Sequence, residues 1–66
     1  MNIVLNGKPH PLEPRTSVED LLKTLGLAKK PVVVEHNKVA LFPRDYASIV
    51  LEQNDNLEII TIAAGG

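Results

Sequence analysis

The residues with the clearest capacity for chemistry are the two glycines that end the sequence, Gly65 and Gly66. A terminal glycine combines a free carboxylate with the absence of a side chain, so it can approach another molecule closely. Such a carboxylate suits a narrow active site on a different protein, where it would be the reacting group. The alternative is a frayed chain end that happens to finish in glycine, and the pair taken by itself favours this second interpretation.

The side chains supply no conventional catalytic arrangement. His10 and His36 lie in different predicted elements, without a spacing that is typical of metal ligation. The serines, Ser17 and Ser48, match no nucleophile, histidine and acid pattern. The sequence has no cysteine and no glycine-rich phosphate loop. It therefore predicts that the chain is not an enzyme, holds no metal or cofactor of its own, and is a substrate or ligand of enzymes.

Composition narrows the class of protein. Sixty-six residues make one small domain, and 44% of them are hydrophobic, so an aliphatic core must supply its stability. A net charge of −1 without a basic stripe argues against nucleic-acid binding. The apolar runs are too short for a membrane span, and the first residues lack the regions of a signal peptide. We therefore expect a cytoplasmic protein that contacts neither nucleic acid nor membrane.

A β-hairpin is predicted to open the fold. Residues 3–5 form a short apolar strand, and Asn6-Gly7 favours a type I′ turn because both residues tolerate a positive φ. The return strand over 8–12 contains Pro9 and Pro11, which indicates the edge of a sheet.

One helix follows this hairpin. Thr16 and Glu19 have the spacing of a capping box, and Gly26 is expected to end the helix in a left-handed conformation. The apolar residues fall on one face at helical spacing, namely Val18, Leu21, Leu22 and Leu25. Because fewer than about 12 residues make a helix marginal alone, this one must pack against a sheet.

Further strands complete an α+β fold. The predicted pieces are a strand at 32–36, a turn at Asn37-Lys38, a strand at 39–42, a helical turn at 44–48, an extended or buried piece at 49–51, a turn at 53–56 and a last strand at 57–62. If the helix connects the second and third strands, the first and last strands lie side by side in the centre. The last strand would then be firmly anchored while the residues after it project.

Strand parity predicts an exposed apolar face beside the chain end. In the last strand one side carries Leu57, Ile59 and Thr61, and the other carries Glu58, Ile60 and Ile62. We expect the second set to face water together with Val33 and Glu35, while Val32 and Val34 face the core. Such a patch often marks a partner surface; the alternatives are a covering loop or the reverse parity.

The acidic residues in the second half of the sequence are a weaker indication of a functional surface. Asp45, Glu52, Asp55 and Glu58 are scattered in turns and at strand edges. The simplest interpretation is solvated charge, with an acidic docking surface as the alternative.

Taken together, these motifs resemble the ThiS family, the sulfur carriers of thiamin thiazole synthesis. The resemblance rests on the Asn6-Gly7 hairpin, the capped helix, the strand and turn at 33–37, Pro43-Arg44, the Asn54-Asp55 turn and Gly65-Gly66. It covers the whole chain and implies a β-grasp (ubiquitin-like) fold, in which four to five strands pack against one main helix. It also implies a domain over 1–62 and a flexible tail over 63–66. Many relatives carry a third glycine where this chain has Ala64.

The resemblance further implies a reaction sequence at Gly66. A ThiF-like adenylating enzyme would use ATP and Mg to convert the Gly66 carboxylate to an acyl-adenylate. Sulfur from a persulfide donor would replace AMP, and a ThiG-like thiazole synthase would accept it from the thiocarboxylate. Ala64 and Gly65 would line the entry passage with Gly66. The implied docking surface comprises Val33, Glu58, Ile60 and Ile62.

Two alternatives stay open on the sequence. A MoaD-like carrier for molybdopterin synthesis has the same fold and tail chemistry, although it is usually longer. A β-grasp modifier or binding module would use the same fold differently. A modifier predicts conjugates through Gly66, whereas a binding module predicts that Gly66 is dispensable.

Overall fold

Two hairpins flank a central pair of parallel strands. The computed structural model describes residues 1–62, so the predicted tail at 63–66 lies outside the described residues. The elements are β1 (Asn2–Leu5), β2 (Lys8–Pro11), α1 (Val18–Thr24), β3 (Val32–His36), β4 (Val39–Ala40), a 3₁₀ turn (Pro43–Asp45) and β5 (Asn56–Thr61). The strands form one sheet of five in the order β2-β1-β5-β3-β4. The predicted layout is confirmed, including the central pairing of β1 with β5, which is parallel.

Both hairpin turns have left-handed residues, which the sequence predicted for Asn6-Gly7, whereas Asn37-Lys38 was predicted only as a turn. Asn6 and Gly7 have φ values of 49° and 81°, and Asn37 and Lys38 have 50° and 71°, as type I′ turns require. The second hairpin is shorter than predicted, because β4 ends at Ala40 rather than at residue 42. Pro43 begins a 3₁₀ turn shortly after this strand end. Because proline fixes φ and has no N–H, it cannot donate a hydrogen bond that would continue the β-ladder.

The helix begins one residue later than predicted, and Ser17 rather than Thr16 caps it. The Ser17 Oγ accepts a hydrogen bond from the Asp20 N–H (3.0 Å), and the Asp20 carboxylate accepts one from the Ser17 N–H (3.3 Å). The Thr16 hydroxyl instead donates to the Glu13 carbonyl (2.7 Å), and the Thr16 carbonyl pairs with the Leu51 N–H (2.8 Å). That pairing keeps Thr16 out of the helix.

The helix ends as predicted at Gly26, whose φ is 75°. The Leu27 N–H donates to the Leu22 carbonyl (2.8 Å) and the Gly26 N–H to the Lys23 carbonyl (3.1 Å), which is the Schellman pattern. Leu25, predicted on the buried face, is instead 36% exposed, and it follows the last helical residue as the C-terminal cap.

Replacing Ser17 with alanine tests the corrected cap. We expect Ser17→Ala to lower the free energy of unfolding by about 1 kcal/mol, because the Asp20 N–H loses its acceptor at the first turn. Thr16→Ala is the matched control and should have a smaller effect, since its hydroxyl caps no helical N–H. Urea unfolding of both variants measures the difference. A larger loss for Thr16→Ala would contradict the assignment of the cap.

The core lies between α1 and one face of the sheet. Its buried side chains are Ile3, Val18, Leu21, Leu22, Val34, Leu51, Leu57 and Ile59. Leu51 comes from the predicted buried piece before β5, which touches the helix start through a bridge between Ser17 and Val50. The helix covers one sheet face only, so the opposite face, termed the open face below, is left to solvent.

Candidate functional site

The open face carries the exposed aliphatic residues that strand parity predicts. Within β5, Leu57 and Ile59 are buried, whereas Ile60 is 53% exposed. Ile62 follows the strand and is 52% exposed, and Val33 on β3 is 39% exposed. The register pairs Val33 directly with Ile60, so these side chains form one continuous apolar stripe.

Two carboxylates stand next to this stripe. The β3–β5 register places Glu35 opposite Glu58, on the same side of the sheet as Val33 and Ile60. Like charges directly opposite each other destabilise a sheet. Within residues 1–62 neither carboxylate forms an ion pair. The open face therefore combines an apolar stripe with uncompensated negative charge, a composition that suits contact with a partner that carries a cation.

The strand that leads to the predicted tail is anchored on both sides. The Asn6 side chain accepts a hydrogen bond from the Ile59 N–H (2.8 Å) and donates to the Ile59 carbonyl (3.2 Å). On the other side the Ile62 N–H donates to the Pro31 carbonyl (3.0 Å). These bonds fix the point from which the chain continues. The predicted reacting residue, Gly66, and its neighbours Ala64 and Gly65 lie outside the described residues.

A further exposed pair, not predicted from the sequence, lies near this face. Phe42 is 59% exposed, and the Arg44 guanidinium carbon lies 4.6 Å from the centroid of its ring. The alternation of side chains in the sequence could have predicted the exposure of Phe42. Alternation from Leu41, which packs against the core, directs Phe42 to the other side of the sheet.

Asp55 is not a solvated charge, so the simplest interpretation of this residue is wrong. Its side chain is 12% exposed, and its carboxylate accepts hydrogen bonds from the Glu52 N–H (2.9 Å) and the Asn37 amide (3.1 Å). His36 Nε2 lies 2.8 Å from the same carboxylate. Asp55 thus joins the β3–β4 turn to the start of β5. His36 therefore has a structural role in this contact.

These contacts lower the pKa of Asp55. Burial is the largest single influence and raises it, but the hydrogen bonds from His36, Glu52 and Asn37, with the charge of protonated His36, outweigh burial and hold the pKa below 3.8. A lowered folded-state pKa gives stability that is present above the unfolded-state pKa. That contribution is lost as the pH falls from 3.8 through the lowered pKa of the folded state.

The variant Asp55→Asn tests the contribution of the Asp55 carboxylate to stability. At neutral pH we expect the free energy of unfolding to fall by about 1–3 kcal/mol, because a charged acceptor of several hydrogen bonds is removed. The difference from the unchanged chain should shrink as the pH falls below 3.8. Urea unfolding across this pH range measures it, with Glu13→Gln at an exposed position as the control. A difference that stays constant with pH would contradict the role of the Asp55 charge.

Within the described ranges, no group of three or more His, Cys, Asp or Glu residues could hold a metal ion. His10 lies on β2, the edge strand, far along the sheet order from His36 on β3. None of the helices in residues 1–62 has the length and apolar character needed to cross a membrane.

Comparison with known proteins gives concordant matches. The model of the ThiS family matches residues 3–66. The crystal structure of the thiamine biosynthesis protein ThiS from Geobacter metallireducens superposes with a TM-score of 0.85 at 29% identity, and all of both chains is covered. The sulfur carrier protein ThiS of Thermus thermophilus is 32% identical over 94% of this chain and 95% of its own length.

A second group of relatives is longer. The thiazole synthase of Magnetococcus marinus is 41% identical over 100% of this chain. This chain spans about a fifth of the length of the thiazole synthases that it matches (20%). These relatives therefore carry a region similar to the whole of this chain within a larger protein. The family match over nearly every residue and the shared β-grasp fold lead to one conclusion: the chain belongs to the ThiS family.

Proposed function

We propose that this protein is a sulfur carrier of thiamin biosynthesis and that the Gly66 carboxylate is its reacting group. The single observation that carries the proposal is the family match, which extends to residue 66 and so includes both terminal glycines. The anchored β5 and the exposed stripe beside its end support it. A carrier needs a fixed strand, a surface for its partner enzymes and a chain end that enters their active sites.

The chemistry begins with activation of Gly66, because a free carboxylate is a poor electrophile. A carboxylate oxygen attacks the α-phosphorus of ATP on a ThiF-like adenylating enzyme, and pyrophosphate leaves. A sulfur nucleophile then attacks the acyl carbon, and AMP leaves with the bonding electrons. With hydrosulfide the product is the thiocarboxylate itself, whereas a persulfide donor gives an acyl disulfide that a further thiol must cleave.

The contribution of this chain is recognition and positioning. It has no cysteine, so sulfur held covalently on a thiol of its own is excluded, and the thiocarboxylate is the form that fits. Gly65 and Ala64 would occupy the passage to the active site, where small residues allow a close approach. ATP and Mg belong to the adenylating enzyme, which also supplies the groups that stabilise the transferred phosphoryl charge.

We assign docking to Val33, Glu58, Ile60 and Ile62, and Ile60→Asp tests this docking surface. A carboxylate at the centre of an apolar contact should raise the KM for this chain in ATP–pyrophosphate exchange by about tenfold or more, because hot-spot losses have this size. Since Ile60 is 53% exposed, the folded state should change little. Val39→Asp is the matched control, because Val39 is 62% exposed and points away from the open face. Equal KM values for the two variants would contradict the assignment.

The relatives named thiazole synthase support the second partner. They contain a region similar to this chain over its full length, which places carrier-like and synthase sequences in one protein. For this chain we propose a ThiG-like thiazole synthase as the acceptor of the Gly66 sulfur.

A further inference from the structure

The open face gains a further exposed apolar residue, Phe42, beyond the last paired residues of β4. Glu35 pairs with Ala40, and the Leu41 N–H donates to the Val34 carbonyl (2.9 Å), so the register extends past the strand end. Phe42 keeps an extended backbone, with φ −88° and ψ 149°. Because Leu41 packs against the core, alternation along this extended backbone directs Phe42 to the open face, the side of the sheet that carries Val33 and Ile60.

The backbone that presents Phe42 is held in place. The Phe42 N–H donates to the Asp45 carboxylate (3.4 Å), and the Asp45 N–H donates back to the Phe42 carbonyl (2.8 Å). Pro43 fixes its own φ, and its carbonyl accepts from the Tyr46 N–H (3.2 Å). An aromatic ring on a pinned backbone loses little freedom when it enters a partner, which favours a strong contact.

Arg44 adds a directed positive charge to this contact. Its guanidinium stacks over the Phe42 ring at 4.6 Å, which limits its orientations. No carboxylate in the described part of the chain forms an ion pair with it. A stacked guanidinium with unused N–H donors is arranged for a bidentate bond to a carboxylate.

We propose that Phe42 and Arg44 are a second contact of the docking surface and that they bind a thiazole synthase. The synthase would offer an apolar recess to the ring and a carboxylate to the guanidinium. The inference rests on the proposed function, and the occupant follows from the relatives in which a synthase and a region like this chain form one protein. The recess and carboxylate would lie next to the surface that meets Ile60 and Val33.

Charge complementarity fixes the orientation of this complex. Glu35 and Glu58 place negative charge on the β3–β5 part of the open face, and Arg44 places positive charge beyond β4. A synthase surface that places a basic group opposite Glu35 and Glu58 and a carboxylate opposite Arg44 can bind in one orientation only. In that orientation the end of β5 points consistently toward the same part of the synthase.

Binding of the full chain to the thiazole synthase of the same organism, measured by calorimetry, tests the proposal. We expect Phe42→Ala and Arg44→Glu each to raise the Kd by about tenfold or more, as central aromatic and arginine residues do at interfaces. Arg44→Lys should weaken binding less than Arg44→Glu, because it keeps the charge but lacks the planar fork. Val39→Ala and Lys29→Glu are the matched controls outside the surface, and they should leave the Kd unchanged. Unfolding midpoints confirm that each variant is folded.

Three results would overturn this proposal: no binding of the unchanged chain to the synthase, no difference between the variants and their controls, or a loss confined to the adenylating enzyme. Thiocarboxylate formation on the same samples tests the proposed function separately. A chain that forms the thiocarboxylate but binds the synthase equally well with and without Phe42 contradicts only the second contact. A chain that loses synthase binding on these changes but never carries sulfur supports the contact and contradicts the carrier function.

Discussion

We expect a chain that lacks Gly66 to fold normally and to form thiocarboxylate at least about 100-fold more slowly, because misplacing a reacting group by 1 Å can have this effect. Removing one residue leaves a carboxylate on Gly65 but withdraws it from the active site by about 3.5 Å. Since the deletion lies beyond β5, we expect it to preserve the hydrogen bonds formed among residues 1–62. The chemical effect should therefore appear without a change in stability.

Mass spectrometry of timed samples with the adenylating enzyme, ATP and sulfide measures this rate, and urea unfolding measures the stability. Gly66→Ala is the matched control, because it keeps the carboxylate at its position and adds one methyl group. We expect it to retain more activity than the deletion. Sulfur transfer to the shortened chain at the original rate would show that the reacting group is elsewhere.

The second large effect is expected in the core, at Leu57 on the central strand. Its side chain is fully buried (0% exposed), and its carbonyl accepts the Asn6 N–H (2.9 Å), which ties β5 to β1. Replacing a buried leucine with alanine lowers the free energy of unfolding by about 2–5 kcal/mol. The total free energy of unfolding of a domain of this size is roughly 3–10 kcal/mol, so Leu57→Ala should remove a large part of its stability.

Thermal and urea unfolding test this expectation, with Ile60→Ala on the same strand as the control. Ile60 is 53% exposed, so its truncation removes little buried area and should lower the free energy of unfolding by less than about 1 kcal/mol. Similar losses for the two variants would contradict the division of β5 into a core face and an open face. A modest loss at Leu57 alone would show that the core can collapse around the missing side chain.

The two faces of β5 were predictable because side chains alternate with a period of two residues. Once Leu57 and Ile59 are assigned to the core, the exposure of Ile60 follows directly. The Asn6-Gly7 turn was also predictable, since few residue pairs accept two consecutive positive φ values. These features depend on local chemistry alone.

The cap of α1 was misplaced because two neighbouring residues satisfy the same local rule. Thr16 is followed three residues later by Glu19, and Ser17 by Asp20, so each pair has the spacing of a capping box. The choice is made by tertiary structure: the Thr16 carbonyl pairs with the Leu51 N–H. A segment more than 30 positions away in the sequence decides where the helix begins.

The hydrogen bonds of Asp55 and the placement of Phe42 could not be predicted from the positions of the strands alone. Their prediction also requires the register in which the strands pair. Asp55 meets His36 and Asn37 only because β5 pairs with β3 in one particular alignment. Phe42 faces the open side because Leu41, held by the Val34 carbonyl, packs against the core. Sequence patterns located these strands to within one or two residues, which is insufficient to establish side-chain partners.

The central claim is that Gly66 carries sulfur, and intact-mass measurement tests it most directly. The full chain is incubated with its adenylating enzyme, MgATP and a sulfide source, with a sample that lacks ATP as the control. We expect a mass increase equal to replacement of one oxygen by sulfur, only with ATP, and fragment ions that localise it to Gly66. An unchanged mass after proven activity of the enzyme, or sulfur found at any other residue, would contradict the account.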